Sequence, residues 1–144
     1  NTYGPRMPDD GRVIINFVNA AISGQPLPVY GDGKQTRSFC FISDMVEGLI
    51  AAMEKGRIGE VYNLGNPEEF TILELAEKVK KLTNYESELE FHPLPEDDPK
   101  QRCPDISKAS SVLEWKPMIG LDEGLSKLIL IVKPYSKLIL IVKP

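Results

Sequence analysis

A chain of 144 residues, 42% hydrophobic and 26% charged, can bury one core, and it has no apolar run long enough to span a bilayer. Its net charge of −4 excludes a broad nucleic-acid footprint, so any anion must be met by a few placed arginines. Two cysteines, Cys40 and Cys103, and the single His92 cannot build a Cys/His metal centre; no metal is expected and the thiols are read as reduced.

The chain opens on Asn1-Thr2-Tyr3-Gly4-Pro5-Arg6-Met7. Gly4 and Pro5 make this a turn, with Tyr3 expected to show an aromatic face at its surface. The heptapeptide looks like the middle of a site rather than the start of a protein, so a preceding part is expected. Val13, Ile14, Phe17, Val18, Ala21 and Ile22 recur at helical spacing, and the predicted helix ends near Ser23, before Gly24 and Pro26. Pro28 to Tyr30 is read as extended; Gly31-Asp32-Gly33-Lys34 turns back into Ser38–Ile42, giving a small two-stranded excursion. Ser43 or Asp44 should cap a helix whose apolar residues are Met45, Val46, Leu49, Ile50 and Met53. Glu60 to Leu64 is predicted as a strand, and Thr71-Ile72-Leu73-Glu74 as a capping box opening a helix with Leu75, Val79 and Leu82 inward. Ser87 to Phe91 alternates like an edge strand, and Pro93 to Pro104 reads as a polar loop. Asp105 should cap a short helix ending near Trp115, and Leu121 should start a last one.

Ser126–Pro134 recurs letter for letter as Ser136–Pro144. Each copy is apolar and β-prone, and one repeat is too few for a solenoid. The second copy is read as a duplication or artefact, with an extra strand or an oligomer contact as the alternative. Short strands mixed with separate amphipathic helices suggest an α+β or partial α/β unit. No Gly-x-Gly-x-x-Gly fingerprint follows a strand, so dinucleotide binding by this chain alone is unsupported.

Three arginines could form an anion clamp: Arg37 after the Gly31–Gly33 turn, Arg102 in an irregular loop, and Arg12 at a helix start, with Tyr30 offering a flat face nearby. The competing reading has them solvated or paired with Asp9, Asp10, Asp97 and Asp98. His92 has no spaced partner and reads as a loop residue; Glu68-Glu69 and Asp97-Asp98 read as solvated caps, and Trp115 as packing.

Asn1–Met7, Asp10-Gly11-Arg12-Val13, Leu27–Arg37, Tyr62-Asn63-Leu64-Gly65-Asn66 and Asp97–Ile106 together resemble the C-terminal half of the NAD-dependent nucleotide-sugar epimerases/dehydratases, in the extended short-chain dehydrogenase family. The resemblance runs in order through about residue 126, counted on this sequence, and stops at the repeated tail. It implies an α/β fragment: residues 1–125 as the nucleotide-sugar-binding half, residues 126–144 as an appended tail, and the Rossmann core largely absent. The family's N-terminal half binds NAD and supplies a Tyr-x-x-x-Lys pair. Tyr3 is not that tyrosine, since position 7 is Met7, and no catalytic residue is assigned. By the same resemblance Asn1 contacts the sugar or its diphosphate, and Tyr30 lines the uridine site with Val13 near the base. Arg37 and Arg102 bind the diphosphate, Gln35 and Asn63 sit close by, and Thr2 and Arg12 face the cofactor. Thr36-Arg37-Ser38-Phe39 and the loop from Asp97 to Asp105 favour the branch that converts UDP-glucuronate to UDP-xylose. That reaction takes hydride from C4, loses carbon dioxide from the 4-keto sugar and returns the hydride. The implied partners are a UDP-sugar and, in an intact parent, a second copy. Relatives of dTDP-glucose 4,6-dehydratase or UDP-glucose 4-epimerase, and a binding module without catalysis, are the alternatives.

Overall fold

A computed structural model describes residues 1–86, 88–96 and 98–139, with side chains described as far as residue 133. Helix α1, Val13–Ile22, forms where the periodicity places it and buries Ile14, Ile15, Phe17, Val18 and Ala21. It stops at Ser23, whose N–H donates to Asn19 O, and Gly24 then turns the chain at φ 71°. α3, Ile72–Thr83, starts on the anticipated capping box: Glu74 N–H donates to Thr71 Oγ1, and Thr71 N–H donates to the Glu74 carboxylate. Helices α1, α3 and the last helix, α5 (Leu121–Ile139), close one core around Phe17, Val18, Leu75, Val79, Leu125 and Leu128.

The strands form three small sheets. β1 (Thr2–Tyr3) pairs in parallel with β4 (Cys40–Phe41), and β2 (Leu27–Tyr30) in parallel with β6 (Leu89–His92). β3 (Thr36–Ser38) lies between antiparallel β5 (Glu69–Thr71) and parallel β7 (Gln101–Arg102). The two-stranded excursion is therefore absent: β2 and β3 flank one turn yet join different sheets. Gly33 and Gln35 direct their carbonyls to the N–H groups of Leu73 and Ile72 at the start of α3, not to β2. A tight turn in sequence does not by itself close a hairpin, because the carbonyls can be taken by a distant helix end.

Four further expectations are corrected. Glu60–Leu64 is irregular; Tyr62 and Leu64 pack on the second cluster of Ala109, Leu113 and Trp115, and no neighbouring strand among the described residues completes a ladder there. The loop from Pro93 to Pro104 contains β7. Tyr3 is buried, and its hydroxyl donates to Leu121 O at 3.4 Å, so it shows no face at the turn surface. The first copy of the repeated tail is helical, inside α5, with Leu128 and Ile129 buried; residues 140–144 of the second copy lie outside the described residues. Its β-branched residues yield to packing on α3, an override of propensity by tertiary contact.

The largest surprise is α2, Ile42–Lys55, capped by neither Ser43 nor Asp44. Its buried positions are Asp44 and Gly48, while Val46, Leu49, Ile50 and Met53 are exposed. Asp44 accepts from Ile119 N–H at 2.9 Å through its carboxylate and from Trp115 Nε1–H at 3.0 Å through its carbonyl. A Cβ at Gly48 would lie 2.9 Å from Trp115 Cε2, so the indole needs a bare backbone there. The short helix α4, Ser107–Leu113, packs on this side too; its N-cap is Ile106, which offers no side-chain cap, and Asp105 one residue earlier accepts from Ser107 N–H at 2.9 Å in a local turn rather than as the expected cap.

Candidate functional site

A cavity of about 440 Å³ opens between β1, the start of α1, the β2–β3 turn and β7. Its wall brings together Asn1, Thr2, Arg12, Tyr30, Gln35, Arg37 and Arg102, with Val13, Phe39 and Ile72 as apolar lining. These residues are far apart in sequence, and the β3–β7 register is what gathers them. Arg37 stands opposite Arg102 on parallel strands. Glu69 on β5 fastens the arrangement: it accepts from Thr36 Oγ1 at 2.7 Å and from Gln101 Nε2 at 2.8 and 2.9 Å. Those hydrogen bonds, Thr36's first, hold the Glu69 carboxyl below its ordinary value. Glu69 is thus a strut across three strands rather than a solvated cap, a role invisible until β7 is known.

The three arginines differ in what they hold. Arg37 is buried; its Nη1 donates to Thr36 O at 2.7 Å and its Nη2 to Asp98 Oδ1 at 2.6 Å. Arg12 makes a forked contact with Asp10, 2.8 to 3.0 Å, and donates to Thr2 O at 3.1 Å. Arg102 is exposed and has no acceptor among the described residues. All three arginines line one cavity, and two of them are paired with aspartates. Asp97 lies outside the described residues.

Tyr30 is half-exposed at the cavity edge, and Gln35 Nε2 donates to its carbonyl at 2.7 Å. Its ring lies against His92, centroids 5.3 Å apart and planes tilted by 32°. His92 is therefore the cross-strand partner of Tyr30 on β6, not a loop residue. Asn63 is placed apart from this lining; its Nδ2 donates to Asp105 O at 3.1 Å. By spacing alone Tyr30 and Lys34 form a Tyr-x-x-x-Lys pattern. Gly31 and Gly33, at φ 71° and 72°, make the intervening segment a turn rather than a turn of helix. The result is a cationic, partly apolar cleft with one aromatic platform, suited to an anion that carries a flat base.

The sequence profile of the NAD dependent epimerase/dehydratase family matches residues 1–65. UDP-glucuronic acid decarboxylase 1 of Arabidopsis thaliana is 57% identical over 130 residues, which is 90% of this chain and 30% of that protein. Its namesake in Danio rerio is 49% identical over the same length, covering 31% of that protein. The chain thus spans about a third or less of these curated relatives. Among solved structures, UDP-glucuronic acid 4-epimerase from Bacillus cereus, in complex with UDP-glucuronic acid and NAD, superposes with a TM-score of 0.88 at 34% identity. That match covers 94% of this chain and 43% of the other. Residues 1–65 thus match the NAD dependent epimerase/dehydratase family, and the longer similarities in sequence and fold are to UDP-glucuronic acid decarboxylases and to a UDP-glucuronic acid 4-epimerase.

Proposed function

We propose that this chain is the UDP-sugar-binding part of an enzyme that converts UDP-glucuronate to UDP-xylose with release of carbon dioxide. The observation that carries the reading is the convergence of Arg37, Arg102 and the Tyr30 platform on one cavity. Arg37 and Arg102 grip the diphosphate, Tyr30 lies against the uracil with Val13 beside it, and Asn1 and Gln35 complete the wall toward the sugar. Residues 1–125 carry the binding wall of this unit, and the start of the repeated tail belongs to its core, since Leu128 and Ile129 of α5 are buried there. The choice of decarboxylation over epimerisation or dehydration is supported by 57% identity to a UDP-glucuronic acid decarboxylase, against 34% for the solved epimerase.

The cavity fits NAD only as a boundary. Thr2 and Arg12, which line the cavity, are assigned to the cofactor side by the family resemblance, but no glycine-rich phosphate cradle opens a helix there among the described residues. Bound NAD supplies a reversible hydride acceptor. The residues of this chain supply position: fixing both phosphates and the base leaves the sugar few orientations, and remote binding energy is converted into alignment at the reacting carbon. Tyr3, the phenol deepest in the wall, is a poor proton acceptor. Its hydroxyl is committed to Leu121 O, and burial holds it far above its ordinary value. The exposed stripe of α2 and the open two-stranded β1–β4 sheet form the seat for an NAD-binding half. The chain by itself is then a binder without turnover.

Calorimetric titration with UDP tests the reading. Binding by the wild-type chain, weakened in both Arg37→Ala and Arg102→Ala, is the expected result. Unchanged affinity in both variants rejects the diphosphate clamp, and carbon dioxide release from UDP-glucuronate and NAD+ by the chain alone rejects the assignment as a binding part.

A further inference from the structure

A guanidinium as buried as that of Arg37, 7% exposed at the side chain, cannot stand without a counter-charge, because desolvation penalises an unpaired ion heavily. Asp98 provides it at 2.6 Å, from a loop whose Pro95 also lines the cavity. Arg37 has a second, neutral tether as well: Thr36 O holds Nη1 at 2.7 Å. The guanidinium is therefore kept in place from its own strand, and its carboxylate partner can be exchanged without loss of aim. Arg102, opposite in register, faces no acceptor among the described residues.

We propose that Asp98 is a built-in competing anion: it occupies Arg37 when no ligand is bound and must be displaced by the incoming diphosphate. This rests on the assignment of Arg37 as a diphosphate ligand. Two anions cannot share the same face of one guanidinium at contact distance without strong repulsion, the more so in a partly desolvated cleft. An incoming diphosphate first meets Arg102, which is exposed and holds no acceptor among the described residues. Its other phosphoryl group then exchanges with Asp98 on Arg37. Asp98 thereby lowers the affinity for a diphosphate and leaves a ligand with no phosphate untouched, since only the diphosphate has to make the exchange.

The experiment compares UDP and uridine binding to the wild-type chain and to Asp98→Asn, Asp98→Ala, Arg37→Ala and the Arg37→Ala/Asp98→Asn double variant. Circular dichroism establishes that each is folded. Asp98→Asn keeps the shape and the acceptor oxygen but removes the charge. UDP affinity is expected to rise several-fold, on the order of tenfold, with the uridine-to-UDP ratio of dissociation constants rising alongside, and the gain should vanish in the Arg37→Ala background. If Asp98→Asn and Asp98→Ala bind UDP more weakly, Asp98 orients Arg37 instead of competing for it, and the proposal is overturned. Equal affinity, or an equal change for uridine, overturns it as well. Loss of the Arg37→Ala effect itself is a separate outcome: it removes the clamp on which the proposal stands and is told apart by that variant alone.

Discussion

Arg102 owes its place to a strand of two residues. Nothing in Lys100-Gln101-Arg102-Cys103 alternates long enough to announce β7, yet Thr36 N–H donates to Lys100 O at 3.0 Å and the register sets Arg102 across from Arg37. Charge-assisted contacts to phosphate contribute about 1.5 to 3 kcal/mol each, so Arg102→Ala should weaken UDP binding by about 10- to 100-fold. Arg102→Lys should recover only part of it, because an ammonium cannot make the planar forked contact; calorimetry of the three proteins reads the order directly. Asp44 offers a comparable test of stability. Replacing it with Ala leaves the Ile119 N–H without its acceptor, and a loss of about 1 to 3 kcal/mol is expected in urea unfolding. The arginines were legible as residue types that could hold an anion. Their partners were legible only as alternatives, because sequence separation does not say which aspartate reaches which guanidinium. The link from Asp44 to Ile119, 75 residues apart, and the strut at Glu69 carried no local signal at all.

Among the elements, those fixed by contiguous chemistry were readable and those fixed by a distant neighbour were not. The start of α3 belongs to the first kind, since Thr71 and Glu74 satisfy each other's backbone within four residues. Thr71→Ala should cost about 1 kcal/mol in urea unfolding. The same cap has a definite dependence on pH. Hydrogen bonds from Thr71, the backbone one first, hold the Glu74 carboxyl below its ordinary value of 4.5. A depressed carboxylate stabilises the fold at pH above its unfolded value and loses that contribution as pH falls through the folded one. The urea midpoint should therefore fall below about pH 4.5 in the wild-type chain, and less steeply in Glu74→Gln, whose side chain does not titrate. Helix α2 belongs to the second kind. Its periodicity revealed a wide apolar stripe but not its neighbour, and the inward side is instead chosen by an indole that needs Gly48 and by the Asp44 carboxylate. Glu60–Leu64 misled for the same reason: β-prone residues become a strand only where another strand lies alongside.

For the molecule as a whole, two features ask for the same cover. β1 and β4 form a parallel pair of two residues each with no third strand among the described residues, so the edges of that small sheet lack a partner strand. Beside it, α2 exposes Val46, Leu49, Ile50 and Met53 along one face, with Met53 at 86% exposure. Contiguous apolar surface of this kind drives association in water, since each side chain removed from solvent contributes favourably in proportion to its area. Under the proposed function the natural occupant is the NAD-binding half, and in a solution of this chain alone the same face has only other copies to meet. Concentration-dependent self-association is therefore expected in sedimentation velocity. Leu49→Glu combined with Met53→Glu should shift the chain toward monomer with unchanged helical circular dichroism, because both positions face solvent and exposed substitutions perturb the fold little. UDP affinity should be retained, since neither residue lines the cavity. The same pair of charges should also abolish any gain of turnover when a separately produced NAD-binding half of a relative is added. Monomeric behaviour of the wild-type chain at all concentrations, or full turnover by the double variant with that half, would show that the α2 face is not where the molecule is completed.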